Sequence, residues 1–324
     1  MSVISNKNSS HNEFLVGRYK IRLPESAEMS EAFLNLDGIP IQVTPRFLEA
    51  RTERQAEKAW SDIELRNTNN EEQPAIRENL SEGAKLYKYD HIRITGQGLD
   101  GEEINKVVHS TVAYSWANNL MFKFGNDDTL NAEDKIKMLL TKVKPVQSGT
   151  NAQGLCFALS CIEHSSQDES VTLFFKIKKF NNLTASFRSA AYVGEPHIPL
   201  SEQKLDNYNP TTEAAWISKN DFTHQTYRNK NRNLDELNGE ENIYAVTYLS
   251  EGKYRTEIHA KWYYPGTPEE IDKPEISIDL DFSYITEEKP AFPAGFSESG
   301  EDGSPTEAQF MAIWDTALSS FKFR

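Results

Sequence analysis

The sequence predicts an α+β protein of two domains, each a mainly antiparallel sheet packed with helices. Three observations carry that prediction. The chain has 324 residues, which at roughly 150 residues per domain makes two. Aromatic residues reach 11%, with 17 Phe and 13 Tyr, and such residues fit pleated, half-buried surfaces and large cores. A similar order of strand and helix patterns then occurs on either side of a short polar linker, Lys144 to Gln153. The domains fall at 13–146 and 152–324.

The first half opens with Gly17-Arg-Tyr-Lys-Ile-Arg-Leu23, an alternating strand stopped by Pro24. A helix should follow. Thr44 can cap it, Pro45 suits its first turn, and Phe47, Leu48, Trp60 and Ile63 are its apolar anchors. Leu86 to Ile94 and Lys106 to Trp116 both alternate and read as a hairpin. A helix from about Ala132 to Val143 closes the half, with Ile136, Leu139, Leu140 and Val143 at helical spacing.

The second half opens with a strand reading, Gly154-Leu-Cys-Phe-Ala-Leu-Ser-Cys-Ile162, and a second one at Val171 to Phe180. Asn207 to Asn238 is polar, with a short helix expected around Ala214 to Ile217. Strands are expected at Ile243 to Leu249, Tyr254 to Tyr264 and Ile276 to Tyr284, and a helix at about Thr306 to Ser320. Matched spacings join the halves. Val112 precedes Trp116 as Ile258 precedes Trp262, and Leu140 and Val143 match Leu318 and Phe321. Two readings fit: an internal duplication, or two unrelated α+β domains whose strands align.

Charge excludes some partners. A net charge of −14 leaves no basic face to displace counterions from nucleic acid, and an anionic membrane surface would repel it. No apolar run approaches the roughly 18 residues of a membrane span. Met1 to Ser10 is polar and has no apolar h-region, so no signal peptide is expected in this chain. A cytoplasmic protein would look like this, and so would a mature secreted protein behind a new Met. On a continuous strand, Cys156 and Cys161 would face opposite ways about 16 Å apart and could not bridge.

Catalytic signatures are missing. Gly96-Gln-Gly98-Leu-Asp-Gly101 spells G-x-G-x-x-G, but Glu102-Glu103 and a β-branched strand follow it where a dinucleotide site needs a helix. It reads as a hairpin loop with an Asp-Gly turn. The sequence contains no G-x-S-x-G, H-E-x-x-H, C-x-x-C or Walker A string. His109 and His259 are read as strand-face or solvent-exposed residues. The adjacent carboxylate pairs face opposite ways on a strand and suit solvated turns better than glycoside hydrolysis. No catalytic residue, metal ligand or cofactor site is assigned, and the chain is not expected to be an enzyme.

Three stretches carry a family resemblance: Gly17 to Pro24; Trp262-Tyr263-Tyr264-Pro265-Gly266 with Pro274-Glu-Ile-Ser-Ile-Asp-Leu280; and Glu307-Ala-Gln-Phe-Met-Ala-Ile-Trp314 through Lys322. Together with Glu78-Asn-Leu-Ser-Glu-Gly83 they resemble the immunity proteins that neutralise type VI secretion lipase effectors. The resemblance implies a two-domain α+β protein that clasps a phospholipase toxin between its domains, blocks substrate entry, and resides in the periplasm. It supplies no catalytic residues. The partner is then a cognate lipase-type effector, with no nucleic acid and no integral membrane segment. The rival readings are an effector-loading adaptor or chaperone, which would be cytoplasmic, and a lipid- or sugar-binding β-rich module. For an immunity protein, the candidate partner-binding residues are Asp100, Glu102 and Glu103 in the hairpin loop, and Glu287, Glu288, Glu298, Glu301 and Asp302 in the late acidic segment. Such charges would speed association with a basic patch.

Overall fold

The computed structural model describes residues 11–66, 73–80, 83–98, 101–125, 129–146, 154–157, 160–164, 168–203, 222–290, 296 and 303–324. In chain order the elements begin with β1 (His11–Gly17), β2 (Tyr19–Pro24), β3 (Ala27–Leu36), β4 (Ile39–Pro45), α1 (Glu49–Arg66), β5 (Ile76–Asn79), β6 (Lys85–Gln97), β7 (Glu103–Ala117) and β8 (Leu120–Phe124). They continue with α2 (Glu133–Thr141), β9 (Val143–Pro145), β10 (Leu155–Phe157), β11 (Ser160–Ile162), β12 (Glu169–Ile177) and β13 (Leu183–Ala190). The last are β14 (Thr223–Leu234), β15 (Leu237–Ser250), β16 (Lys253–Tyr264), β17 (Glu275–Thr286), α3 (Glu307–Ser320) and β18 (Lys322–Phe323).

The chain divides into two compact units. A central unit holds residues 31–169, and a split unit holds 1–30 with 170–324. These units cut the chain differently from a division into 13–146 and 152–324. The β1–β2 hairpin belongs with the late residues, because β2 pairs with β18, Tyr19 opposite Phe323 and Lys20 opposite Lys322. The β10–β11 hairpin belongs with the earlier ones, because β11 pairs with β9, Ser160 opposite Pro145.

In the central unit the large antiparallel sheet runs β3-β4-β8-β7-β6-β5, beside a small sheet β10-β11-β9. In the split unit it runs β12-β13-β17-β16-β15-β14, beside β1-β2-β18. Counted along the chain, both large sheets have one order: the first two strands, then the next four reversed.

Strand alternation sets the two faces of the split-unit sheet. Val171, Leu173, Phe175 and Ile177 of β12 point to the core, as do Ile258, Ala260 and Trp262 of β16 and Ile276, Ile278, Leu280 and Phe282 of β17. Helix α3 begins with a capping box in which Thr306 and Gln309 satisfy each other's backbone N–H. Its buried residues are Phe310, Ile313, Trp314, Ala317 and Leu318. Gly239 of β15 lies flat against Trp262, and a Cβ there would overlap the indole. In the central unit, Ala56 and Ile63 of α1 pack with Tyr87, Tyr89, Val112, Tyr114 and Met121.

Several expectations are corrected. Thr44 and Pro45 end β4, and the helix starts only at Glu49. Gly154 to Ile162 is not one strand. β10 and β11 pair antiparallel with Cys156 directly opposite Cys161, which brings the Cα atoms to 4.0 Å and forms a disulfide. Leu140 is half-buried, and Ile136 and Leu139 supply the core contacts of α2. The helix expected near Ala214 to Ile217 lies outside the described residues.

Candidate functional site

The G-x-G-x-x-G string is a hairpin connection followed by β7, not by a helix. The Gly98 N–H donates to the Glu102 carbonyl at 2.8 Å, and the Gly101 N–H donates to the Gly98 carbonyl at 3.0 Å. Glu102 and Glu103 stand exposed beside this closure. Glu287 and Glu288 are exposed just after β17. Lys253 Nζ donates to Glu287 at 2.6 Å, and Thr286 Oγ1 donates to the Glu288 carbonyl at 2.8 Å. Asp100, Glu298, Glu301 and Asp302 lie outside the described residues. The four described candidates are two pairs of sequence neighbours, one in each unit.

Sequence reasoning missed the outward face of the split-unit sheet. Register sets Tyr244, His259 and Asp281 directly across β15, β16 and β17. His259 Nδ1 lies 2.7 Å from Asp281 Oδ1, and its Nε2 lies 3.6 Å from Glu257 Oε2. Tyr244 sits against His259 on one side and His224 on the other, with ring centroids 5.2 and 5.6 Å away. Glu257 also accepts from Tyr248 Oη at 3.1 Å and pairs with Arg255 Nε at 2.7 Å. Next along, Asp279 accepts from Ser277 Oγ at 2.7 Å and faces Lys261 Nζ at 3.7 Å.

Burial alone would lower the His259 pKa. Hydrogen bonds to Asp281 and Glu257 outweigh it and push the value up to about 9. His259 is therefore a cation at neutral pH, donating from Nδ1 to Asp281 and ion-paired through Nε2 with Glu257. Burial pushes the Asp279 carboxyl up. Both ring nitrogens of His259 are directed at carboxylates, so the imidazole has no free nitrogen to serve as a base. The sequence signal was the alternation of Glu257, His259 and Lys261 with Ile258, Ala260 and Trp262.

The opposite face is held by a charged latch. Glu241 is 0% exposed and accepts from Trp314 Nε1 at 2.7 Å and Arg232 at 3.0 Å. Arg228 grips Asp315 of α3 through both nitrogens, at 2.7 and 3.0 Å. The Arg228 hydrogen bonds hold the Asp315 carboxyl down to about 2 despite partial burial. In the central unit, Glu57 of α1 accepts from Arg77 and Lys85, and these hydrogen bonds, Arg77's first, hold it at about 2. Charge in both units ties helix to sheet. Among the described residues no group of three or more His, Cys, Asp or Glu is placed to hold a metal ion, and no helix is long and apolar enough to cross a membrane.

Two units built on antiparallel sheets, each with a helix tied to its sheet by charge, define a class of β-rich proteins. Within it, a family model described as the Tle cognate immunity protein 4 C-terminal domain matches residues 150–324. That is more than half the chain, and the chain belongs to this immunity protein family. Solved structures share the fold over nearly the full length. The apo immunity protein TplEi of the type VI secretion system from Pseudomonas aeruginosa is 17% identical, covers 99% of each chain and has a TM-score of 0.60. The same protein complexed with the "L" peptide is 17% identical, with 98% of this chain and 99% of that one covered and a TM-score of 0.58. A chain of the Tle4–Tli4 complex is 14% identical, covering 100% of this chain and 99% of that one, with a TM-score of 0.61. No curated protein matches the chain.

Proposed function

We infer that this chain is the immunity protein of a type VI secretion lipase effector, which it binds and inhibits sterically without chemistry of its own. The family match over residues 150–324 carries the reading. The interlocked charges support a non-catalytic role, since His259, Asp281 and Glu257 satisfy one another rather than a reacting group. The Cys156–Cys161 disulfide supports a periplasmic home, because such bonds persist in oxidising compartments.

The shared strand order supports an internal duplication with repeats at 13–146 and 152–324. Each repeat is then a hairpin, two strands, four more strands, a helix and a short final strand. The opening hairpins are exchanged, so that β1–β2 completes the second repeat's small sheet and β10–β11 the first's. The acidic residues Asp100, Glu102, Glu103, Glu287, Glu288, Glu298, Glu301 and Asp302 steer a basic effector surface in this account.

The test is co-expression. Cells directing the cognate lipase effector to the periplasm should survive when this chain is exported with it, and die with an exported unrelated protein. Death in both cases, with both proteins present and folded, would refute the inference.

A further inference from the structure

The β6–β7 hairpin outgrows the sheet that carries it. β5 pairs with β6 only over Lys85 to Lys88, and β8 pairs with β7 only over Ala113 to Ala117. The segment around Leu130 reaches β7 only between His109 and Thr111. Past a bulge at Asp90–His91, where Asp90 takes a φ of 52°, the described residues pair only across the hairpin. That arm runs from Ile92 opposite Val108 to Gln97 opposite Glu103.

One face of the arm gathers its isoleucines. Alternate residues of a strand share a face, and Val112 belongs to the cluster under α1. Val108, Lys106 and Ile104 therefore stand on that same face farther out. Ile92 and Ile94 join them, opposite Val108 and Lys106. Ile92 is 55% exposed and Ile94 39%, and Ile104 is half-buried. Val108 is still buried, and beyond it the core face continues as an uncovered strip, with the exposed Lys106 standing between Val108 and Ile104. A two-stranded ribbon is marginal without a layer over it, and exposed apolar side chains gathered on one face mark a binding surface.

Two observations choose the occupant. The residues after α1 read Asn67-Thr-Asn-Asn-Glu-Glu72 and offer no apolar side chain to cover the strip. The arm ends in the exposed Glu102 and Glu103, and two such tips on chains of net charge −14 would repel a second copy and attract a basic rim. We propose that this strip is a docking surface for the effector: Ile92, Ile94 and Ile104 enter an apolar groove of the lipase, and Glu102 and Glu103 meet Lys or Arg at its rim. The proposal rests on the immunity reading and names where that reading acts.

The experiment uses the full-length chain and its purified cognate lipase effector. I92T/I94T keeps β-branched side chains on the arm while removing its apolar surface. Its Kd for the effector should rise about tenfold or more, with the melting temperature unchanged. E102Q/E103Q should slow association. Hydrogen exchange on the wild-type pair should show amides 92–97 and 103–107 protected in the complex, a readout that stands even if the double variant fails to fold. A wild-type Kd for I92T/I94T, or arm amides that exchange equally fast with and without effector, would overturn the docking surface and leave the immunity reading intact. No binding by the wild-type chain would overturn both. A wild-type dimer abolished by I92T/I94T would give the strip to a second copy and also overturn the proposal.

Discussion

Trp314 of α3 donates its indole N–H to Oε1 of Glu241 at 2.7 Å, and both side chains are buried. The bond spans 73 residues of sequence and fixes the helix to the sheet from beneath. Arg228 and Arg232 of β14 donate to the same oxygen, and Lys230 Nζ lies 3.6 Å from Oε2. Removing one member of a buried charged group leaves the others unpaired, at a cost of about 3–5 kcal/mol. The two arginines here are partly exposed, which reduces the figure. Glu241→Ala should destabilise the protein by about 2–3 kcal/mol, and Glu241→Gln, which keeps an acceptor for Trp314, by less. Urea denaturation of the two variants checks the order; equal losses would contradict the role given to the indole bond.

His259 predicts a pH dependence. Its folded pKa of about 9 exceeds the 6.5 of a free histidine. A raised pKa contributes stability that is fully present below about 6.5 and fades as pH climbs through about 9. Wild type should therefore exceed His259→Gln in stability by the most near pH 6, and the gap should close towards pH 9.5. Denaturation midpoints of both proteins across that window are the measurement. A gap constant with pH would show that the histidine is not held as a cation by Asp281 and Glu257.

The place of the β1–β2 hairpin predicts how fragments behave. Tyr19 stacks on Phe321 with centroids 4.9 Å apart, the Arg22 N–H donates to Ser320 Oγ at 2.7 Å, and Tyr19, Ile21 and Leu23 are core residues. A fragment of residues 152–324 should fold poorly, because it lacks the strand that lies beside β18. Tyr19→Ala in the full chain should cost about 3–5 kcal/mol, as for truncation of other large buried aromatics. A fragment as stable as the whole chain would sink this account of the split unit.

Cys156 and Cys161 enclose a short loop, and a cross-link of that size contributes about 2 kcal/mol by restricting the unfolded chain. Protein purified from an oxidising compartment should release no titratable thiol on denaturation without reductant. Cys156→Ala with Cys161→Ala should lower stability by about that amount. Two free thiols in periplasmically expressed protein would contradict the pairing.

The strands that alternate cleanly were legible in the sequence. Leu86 to Ile94 with Lys106 to Trp116, and Tyr254 to Tyr264 with Ile276 to Tyr284, lie within observed strands. Thr306 was recognisable as the start of the last helix, and it caps α3. Other features were hidden for physical reasons. Thr44-Pro45 imitates a helix start, yet both residues pair with β8, where backbone hydrogen bonding overrides the local signal. β14 is an edge strand whose side chains are mostly polar, so no period of two marks it. The disulfide depended on a reversal between Cys156 and Cys161 that a pattern of apolar residues cannot reveal. The β2–β18 pairing joins the two ends of the chain, beyond the reach of any local pattern. Of the acidic candidates, the exposure of Glu102, Glu103, Glu287 and Glu288 followed from their turn-like settings. The Tyr244–His259–Asp281 row needed the register of three strands.

The central claim is that this chain is a stoichiometric inhibitor of a lipase effector. Titrating the purified full-length chain into a fixed amount of the cognate effector, while following hydrolysis of a phospholipid substrate, tests it most directly. Activity should fall in proportion to added protein and vanish near an equimolar ratio, with no hydrolysis by this chain alone. Undiminished hydrolysis at a large molar excess of folded protein would contradict the account.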